Sequence, residues 1–207
     1  MSNDEVYAAG LLHRALDPAS QPPQIRAFLQ AEIELLSDTI VEGMTVIDVG
    51  CGTGRHLKLL RDRLRIGVGV DYEHAYIVEA QRGAGGGGLH FVTGDATRLP
   101  IHARFDFAMC LTNTWGTMSD KTGVLNEMRR CAPRARMRLL SVYAEASIPA
   151  RREWYRRLGH VVKEESAECL VTEGEFRSEH FTEARLRHLV GECTIRPFAG
   201  IAYAVTF

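Results

Sequence analysis

The sequence predicts an α/β fold in which a parallel sheet carries helices on both faces. Three observations support this. Short β-branched runs alternate with stretches of helical periodicity between residues 46 and 143, a glycine loop joins the first run to the helix after it, and the chain closes on two short runs joined through a glycine.

From Gln24 to Val41 the apolar residues Ile25, Phe28, Leu29, Ile33, Leu36 and Ile40 recur at steps of three and four, and Gly43 follows as a stop, which predicts a helix covering the sheet. Val46 to Val49 reads as a strand, and Leu57, Leu60 and Leu64 give Arg55 to Leu64 a helical spacing. Ile66 to Val70 repeats the strand pattern, a helical stretch runs to Arg82, and glycines at 83 and 85–88 break the chain before the strand Leu89 to Thr93. A strand from Phe105 to Leu111, a helix from Lys121 to Cys131 and a strand from Met137 to Tyr143 continue the alternation. The rhythm then changes. A basic helix from Ile148 to Leu158 leads into Val161 to Val171, a turn at Thr172-Glu173-Gly174, and Phe176 to Phe181, so residues 144–181 read as an insertion. A helix over Thr182 to Val190 precedes two runs, Cys193 to Pro197 and Ile201 to Phe207, paired as a hairpin.

The 207 residues suffice for one α/β domain, and 45% hydrophobic with 25% charged residues is ordinary globular composition. No apolar run of about 18 residues occurs and the N-terminus lacks a basic stretch followed by an apolar one, so the chain reads as cytoplasmic with no membrane partner. Residues 1–21 hold few large apolar side chains and read as an arm or lid. Five cysteines without a Cys-x-x-Cys pair fit neither a disulfide framework nor a zinc site, so no metal is expected. A net charge of −1 gives no global attraction to phosphate backbones, which disfavours a nucleic-acid partner unless a local basic patch exists. Oligomeric state is not legible.

In Asp48-Val49-Gly50-Cys51-Gly52-Thr53-Gly54 the glycines let the backbone turn sharply and approach a ligand without a Cβ in the way. The dinucleotide fingerprint needs glycine one position past Gly54, where Arg55 stands, so the spacing is Gly-x-Gly-x-Gly. An unliganded turn between strand and helix has the same composition. Asp71, 21 positions past Gly50, stands where an acid meets a ribose diol in nucleotide-binding α/β folds; its alternative is a helix N-cap.

With these residues the chain resembles the class I S-adenosylmethionine-dependent methyltransferases over Gly43 to Tyr143, and more loosely to Phe207. The resemblance implies a doubly wound, mostly parallel seven-stranded sheet with a C-terminal antiparallel hairpin, and S-adenosylmethionine as cofactor. It implies that Asp48, Gly50, Gly52 and Gly54 hold the methionine portion and Asp71 the ribose, with Tyr72 beside it. Asp95 and Ala96, in Gly94-Asp95-Ala96, would meet the adenine, and Leu111 would close the set at the end of the fourth strand.

Ligands of open α/β sheets lie beyond the carboxyl ends of the strands, which places Leu111 to Gly116 at the reacting end of the cofactor. The fourth-strand region resembles that of small-molecule N-methyltransferases and lacks the Asn/Asp-Pro-Pro-Tyr signature of enzymes that methylate exocyclic amines. Asn113 either orients a ligand or bonds its own turn, and Trp115 either roofs the pocket or fills core. His180 is a candidate general base or a helix cap, and Tyr7 and Tyr143 are further pocket candidates. Arg151, Arg152, Arg156 and Arg157, beside Trp154 and Tyr155, form either a solvated face, an anion site for the substrate or a small RNA-facing patch. The expected function is methyl transfer to nitrogen or oxygen of a small molecule. The alternatives are a non-catalytic methyltransferase-fold subunit that serves a partner, and an RNA methyltransferase.

Overall fold

The computed structural model of the protein describes residues 11–85, 87–134 and 137–207. A short helix α1 (Leu11–Leu16) and helix α2 (Pro23–Thr39) precede the first strand, β1 (Met44–Val49). Then follow α3 (Arg55–Leu60), β2 (Leu64–Asp71), α4 (His74–Arg82), β3 (Leu89–Thr93), β4 (Phe107–Cys110), α5 (Lys121–Cys131) and β5 (Arg138–Tyr143). Next come α6 (Ile148–Arg157), the strands β6 (Val162–Glu165), β7 (Cys169–Thr172) and β8 (Arg177–Glu179), α7 (Glu183–Val190), β9 (Thr194–Phe198) and β10 (Ala202–Thr206).

Seven strands form one sheet in the order β3-β2-β1-β4-β5-β10-β9, parallel from β3 to β5. Strand β10 runs antiparallel to both β5 and β9, which makes the C-terminal hairpin. The chain leaves β1 for β2 on one side and reaches β4 on the other, so the sheet is doubly wound and its switch point lies between β1 and β4. Alternation along the strands divides the core in two. Ile47, Val49, Ala108 and Cys110 point to the layer of α5 and α7, packing with Val124, Met128 and Leu186. Val46, Phe107 and Met109 point to the opposite layer, with Leu36, Leu57 and Ile77 of α2, α3 and α4.

Strands β6, β7 and β8 form a separate three-stranded antiparallel sheet. This sheet and α6 pack with α1 and α2 in a third cluster that includes Ala15, Phe28, Tyr143, Trp154, Leu170 and Phe176.

Several boundaries differ from the sequence reading. The helix expected over 55–64 ends at Leu60, a 3₁₀ turn covers Arg61–Arg63, and Leu64 already pairs with Met44 in the sheet. The strand expected over 105–111 keeps only Phe107–Cys110. Asp106 lies just before it, and its Oδ2 accepts from the Thr45 N–H (2.9 Å) and Oγ1 (2.8 Å), fixing the entry to β1. The run expected over 161–171 is two strands, because the Ser166 hydroxyl accepts from the Cys169 N–H at 3.2 Å and turns the chain. Ala15 of the proposed arm is buried in the third cluster, so this segment does contribute to a core.

Trp115 is wholly buried, stacks on Phe181 at 5.2 Å between ring centroids, and donates from Nε1 to the Lys121 carbonyl at 3.2 Å. The stack joins the turn after β4 to the strand end that precedes α7. Trp115→Ala should lower unfolding free energy by ~3–5 kcal/mol in urea titrations, the range for emptying a large aromatic site. A loss under about 1 kcal/mol would show that the ring is not a core element.

Candidate active site

A cavity of about 910 Å³ opens at the carboxyl ends of β1, β2, β4 and β5. One wall is the turn after β1. Gly50, Gly52 and Gly54 have φ of 75°, 53° and 77°, a region costly for any residue with a Cβ. A Cβ on Gly50 would strike the Thr114 side chain and one on Gly54 the Phe91 ring, so at these two positions space and conformation both require glycine. The turn is tied to β2, since the Gly50 N–H (2.7 Å) and Cys51 N–H (3.1 Å) both donate to the Val70 carbonyl.

Asp48 is buried and lines the cavity; its Oδ2 has no hydrogen-bond partner among the described residues and stands 3.8 Å from His56 Nδ1. Asp71 also lines it, accepting from the Gly52 N–H at 2.8 Å on Oδ2 and from the Glu73 N–H at 3.0 Å on Oδ1. It is not the cap of α4. Glu73 is, accepting from the Ala75 N–H. Burial first, and then the neighbouring Asp48 and Glu73, push the Asp71 carboxyl above its ordinary value despite those two amides. Tyr72, Asp95, Ala96 and Leu111 line the cavity as well. Asp95 Oδ1 holds a turn by accepting from the Thr97 N–H and Oγ1, each at 2.8 Å.

Beneath the turn lies a charged cluster that the sequence reading missed. Glu32, from the middle of α2, is buried and reaches the ends of β4 and β5. Its Oε1 accepts from the Thr112 N–H (2.6 Å) and the Ser141 hydroxyl; its Oε2 accepts from Thr112 Oγ1 (2.8 Å) and Arg55 Nη2 (3.3 Å). His56 Nε2 is 3.6 Å from the same oxygen. Burial would raise the Glu32 pKa, but His56, Arg55 and Ser141 together bring it below the ordinary value. Burial likewise opposes charge on His56, and the Asp48 and Glu32 carboxylates outweigh it, so the imidazole pKa is raised. Thr112 and Asn113 have φ of 54° and 57°, each costing about 1–3 kcal/mol, and the Glu32 contacts hold the first of them. A signal existed: Glu32 lies four residues from both Phe28 and Leu36, on the apolar face of α2.

The residues singled out for chemistry are placed unevenly. Asn113 borders the cavity, but its amide is committed: Nδ2 donates to Ser178 Oγ (3.2 Å) and the Glu179 carbonyl (3.1 Å), and Oδ1 accepts from the Tyr143 N–H (3.0 Å). It is a strut between β4, β5 and β8. Trp115 does not roof the pocket; it is core, outside the cavity lining. His180 is also outside that lining, buried at 3.3 Å from Arg151 Nη1, and burial followed by the Arg151 cation holds its pKa down, so it does not face a substrate as a base. Arg152 pairs with Glu165, and Arg156 and Arg157 pair with Glu153, all away from the cavity lining, so the expected substrate anion site is not in this cavity. Arg151 is buried instead. Its guanidinium lies over the Tyr143 (4.8 Å) and Tyr155 (5.8 Å) rings and donates to the Ser178 carbonyl at 2.6 Å. Tyr143 lines the cavity, whereas Tyr7 falls outside the described residues.

Comparison with known proteins agrees with this geometry. Residues 46–133 match the family described as a methyltransferase domain. Magnesium protoporphyrin IX methyltransferase from Synechocystis PCC 6803, solved with bound S-adenosylhomocysteine, superposes with a TM-score of 0.65 at 17% identity, over 99% of this chain and 95% of that one. The 1,6-didemethyltoxoflavin-N1-methyltransferase of Burkholderia thailandensis gives 0.58 at 20% identity, over 87% and 76%. A possible histamine N-methyltransferase from Thermotoga maritima gives 0.61 at 17% identity, over 86% and 87%. No curated protein sequence matches the chain significantly. The architecture is therefore that of the class I S-adenosylmethionine-dependent methyltransferases. Within it, residues 46–133, the segment that matches the methyltransferase-domain family, carry the glycine turn and the acids that follow it.

The Glu32 cluster makes stability depend on pH in a defined sense. A raised His56 contributes stability that is complete below its unfolded value of about 6.5 and is lost as pH rises through the folded value. A lowered Glu32 contributes stability present above its unfolded value and lost as pH falls through the folded one. Glu32→Leu should cost about 3–5 kcal/mol, as expected when one partner of a buried charge group is removed. The melting-temperature difference between wild type and His56→Asn should shrink as pH is raised from about 6 to about 9; a constant difference would mean that His56 is uncharged in the fold.

Proposed function

We propose that the protein binds S-adenosylmethionine along the glycine-turn side of the cavity and transfers its methyl group to nitrogen or oxygen of a small molecule. The observation that carries this reading is the continuity of one cavity past Asp48, Gly50, Gly52, Asp71, Asp95, Ala96 and Leu111 and on to the aromatic residues Tyr143, Trp154, Tyr155 and Phe176. The fit is local. The Asp48 carboxylate, which lines the cavity and stands 3.8 Å from His56 Nδ1 on one oxygen, suits the methionine ammonium, with Gly50 and Gly52 lining the cavity beside it. Asp71 keeps lone pairs for a ribose diol beyond the two amides it already accepts. When bound, the cofactor supplies a sulfonium methyl group, which the acceptor's lone pair takes as the carbon–sulfur bond breaks and its electron pair stays on sulfur.

The protein's own contribution is positional, an effect that can supply ~7–11 kcal/mol where reactants are held in line. The Thr112–Asn113 turn, fixed by Glu32 and by the Asn113 amide, sets the wall beside the reacting end. The acceptor's proton leaves to water. The pairing of Arg152 with Glu165 and of Arg156 with Glu153 supports a small-molecule acceptor over an RNA one.

Calorimetry should give micromolar or tighter affinity for S-adenosylmethionine, about −8 kcal/mol or better, and no comparable binding of NAD. Asp71→Ala should weaken that affinity by about 1.5–3 kcal/mol and Asp71→Asn by less. Wild-type affinity in Asp71→Ala would remove the ribose assignment, and a preference for NAD would overturn the whole reading.

A further inference from the structure

Another part of the cavity lining has a different chemistry. Tyr143, Trp154, Tyr155 and Phe176 line it, with Leu16 and Leu158 beside them. These come from the end of β5, from α1 and α6, and from the approach to β8, so the small sheet and the N-terminal helix build this side together. The rings are fixed relative to one another. Trp154 and Tyr155 lie 6.1 Å apart at 20°, and Tyr155 meets Phe176 edge-on at 5.9 Å and 89°. The Arg151 cation spans the Tyr143 and Tyr155 rings from the protein side.

Carboxylates line the cavity as well, Asp120 and Glu179 among them. Glu179 accepts from Lys121 Nζ at 3.0 Å and Arg185 Nη2 at 2.6 Å. It adjoins Ser178, whose hydroxyl accepts from Asn113, so it belongs to the same frame as the strained turn.

We propose that this aromatic part of the cavity is the acceptor subsite, and that it takes a planar aromatic molecule whose amine or hydroxyl donates a hydrogen bond to Glu179. The inference rests on the methyltransferase reading and adds the substrate class. Ring walls of fixed orientation favour a flat π-system over a flexible aliphatic one, because offset-stacked and edge-on contacts add to burial. About 910 Å³ approaches the top of the ~300–1,000 Å³ range of small-molecule sites, so cofactor and acceptor can share the cavity. The ionised Glu179 is acceptor-only, so it selects for N–H or O–H donors on the ring. Here it is a specificity residue, with no proton transfer assigned to it.

Calorimetry on the full chain, with and without saturating S-adenosylhomocysteine, tests this with four probes: 1-naphthylamine, 1-naphthol, 1-methoxynaphthalene and cyclohexylamine. Naphthylamine or naphthol should bind at least about tenfold more tightly than cyclohexylamine, and naphthol more tightly than its methyl ether. Phe176→Leu, which nearly conserves volume, and Trp154→Ala should each weaken naphthol binding several-fold while S-adenosylhomocysteine affinity stays within about twofold. Naphthol and cyclohexylamine binding alike, or naphthol binding unchanged in both variants, overturns the aromatic subsite. Naphthol and its ether binding alike overturns the Glu179 contact. Absence of S-adenosylhomocysteine binding overturns the methyltransferase reading instead and is seen in a separate titration.

Discussion

The site depends on one carboxylate that no ligand needs to touch. Glu32 leaves the covering helix α2 and ends against Thr112, in the turn after β4, and Ser141, on the neighbouring strand β5. It is held in the interior by Arg55 and His56, which the first turn of α3 presents because the glycine turn aims that helix inward. A buried carboxylate is tolerated only with such partners, and removing any of them leaves a desolvated charge. Glu32 thereby couples four things that a cavity wall requires: the covering helix, the ends of β4 and β5, and the helix that follows the glycine turn. The unfavourable backbone at Thr112 and Asn113 persists because this coupling over-determines it.

Two cationic clusters divide the rest of the work. Around Glu179, Lys121 and Arg185 counter the burial that would raise its pKa and bring it below the ordinary value; burial in turn lowers Lys121 against the pull of Glu179. Arg151 is stabilised differently, by ring faces, a backbone carbonyl and the Ser147 hydroxyl at 3.4 Å. Its five donors and flat shape suit that arrangement where an ammonium would not. Truncating it would loosen two tyrosines together.

That the glycine turn, Asp48, Asp71 and Asp95 would meet at one cavity was legible because it follows from local spacing along consecutive strands and loops, which the chain preserves whatever packs around it. The alternation that gave the parallel sheet was legible for the same reason. The arginines of α6 were not, since Arg151 and Arg152 are adjacent in sequence yet one faces the interior and the other Glu165; only the position of the small sheet decides which. Trp115 looked available because it sits in a loop and His180 because an imidazole suits a base, yet Phe181 covers the first and Arg151 the second, each from a distant part of the sequence. Glu32 could have been suspected as an acid on an apolar helix face, but its partners lie 80 and 109 residues away.

The small sheet leaves and rejoins the fold at one place. Ala144 bridges to Phe181, whose N–H donates to the Tyr143 carbonyl at 2.8 Å, so the excursion between them is closed at its base like a loop tied at its neck. Lengthening a segment closed in this way costs little, about 0.6 kcal/mol for each doubling, and leaves the register of β5 against β10 untouched. The excursion thus has two unlike ends: growth is cheap around β6 and the turn into β7, while Ser178 and Glu179 stay bonded to Asn113 and Lys121 and cannot be moved without disturbing the turn after β4.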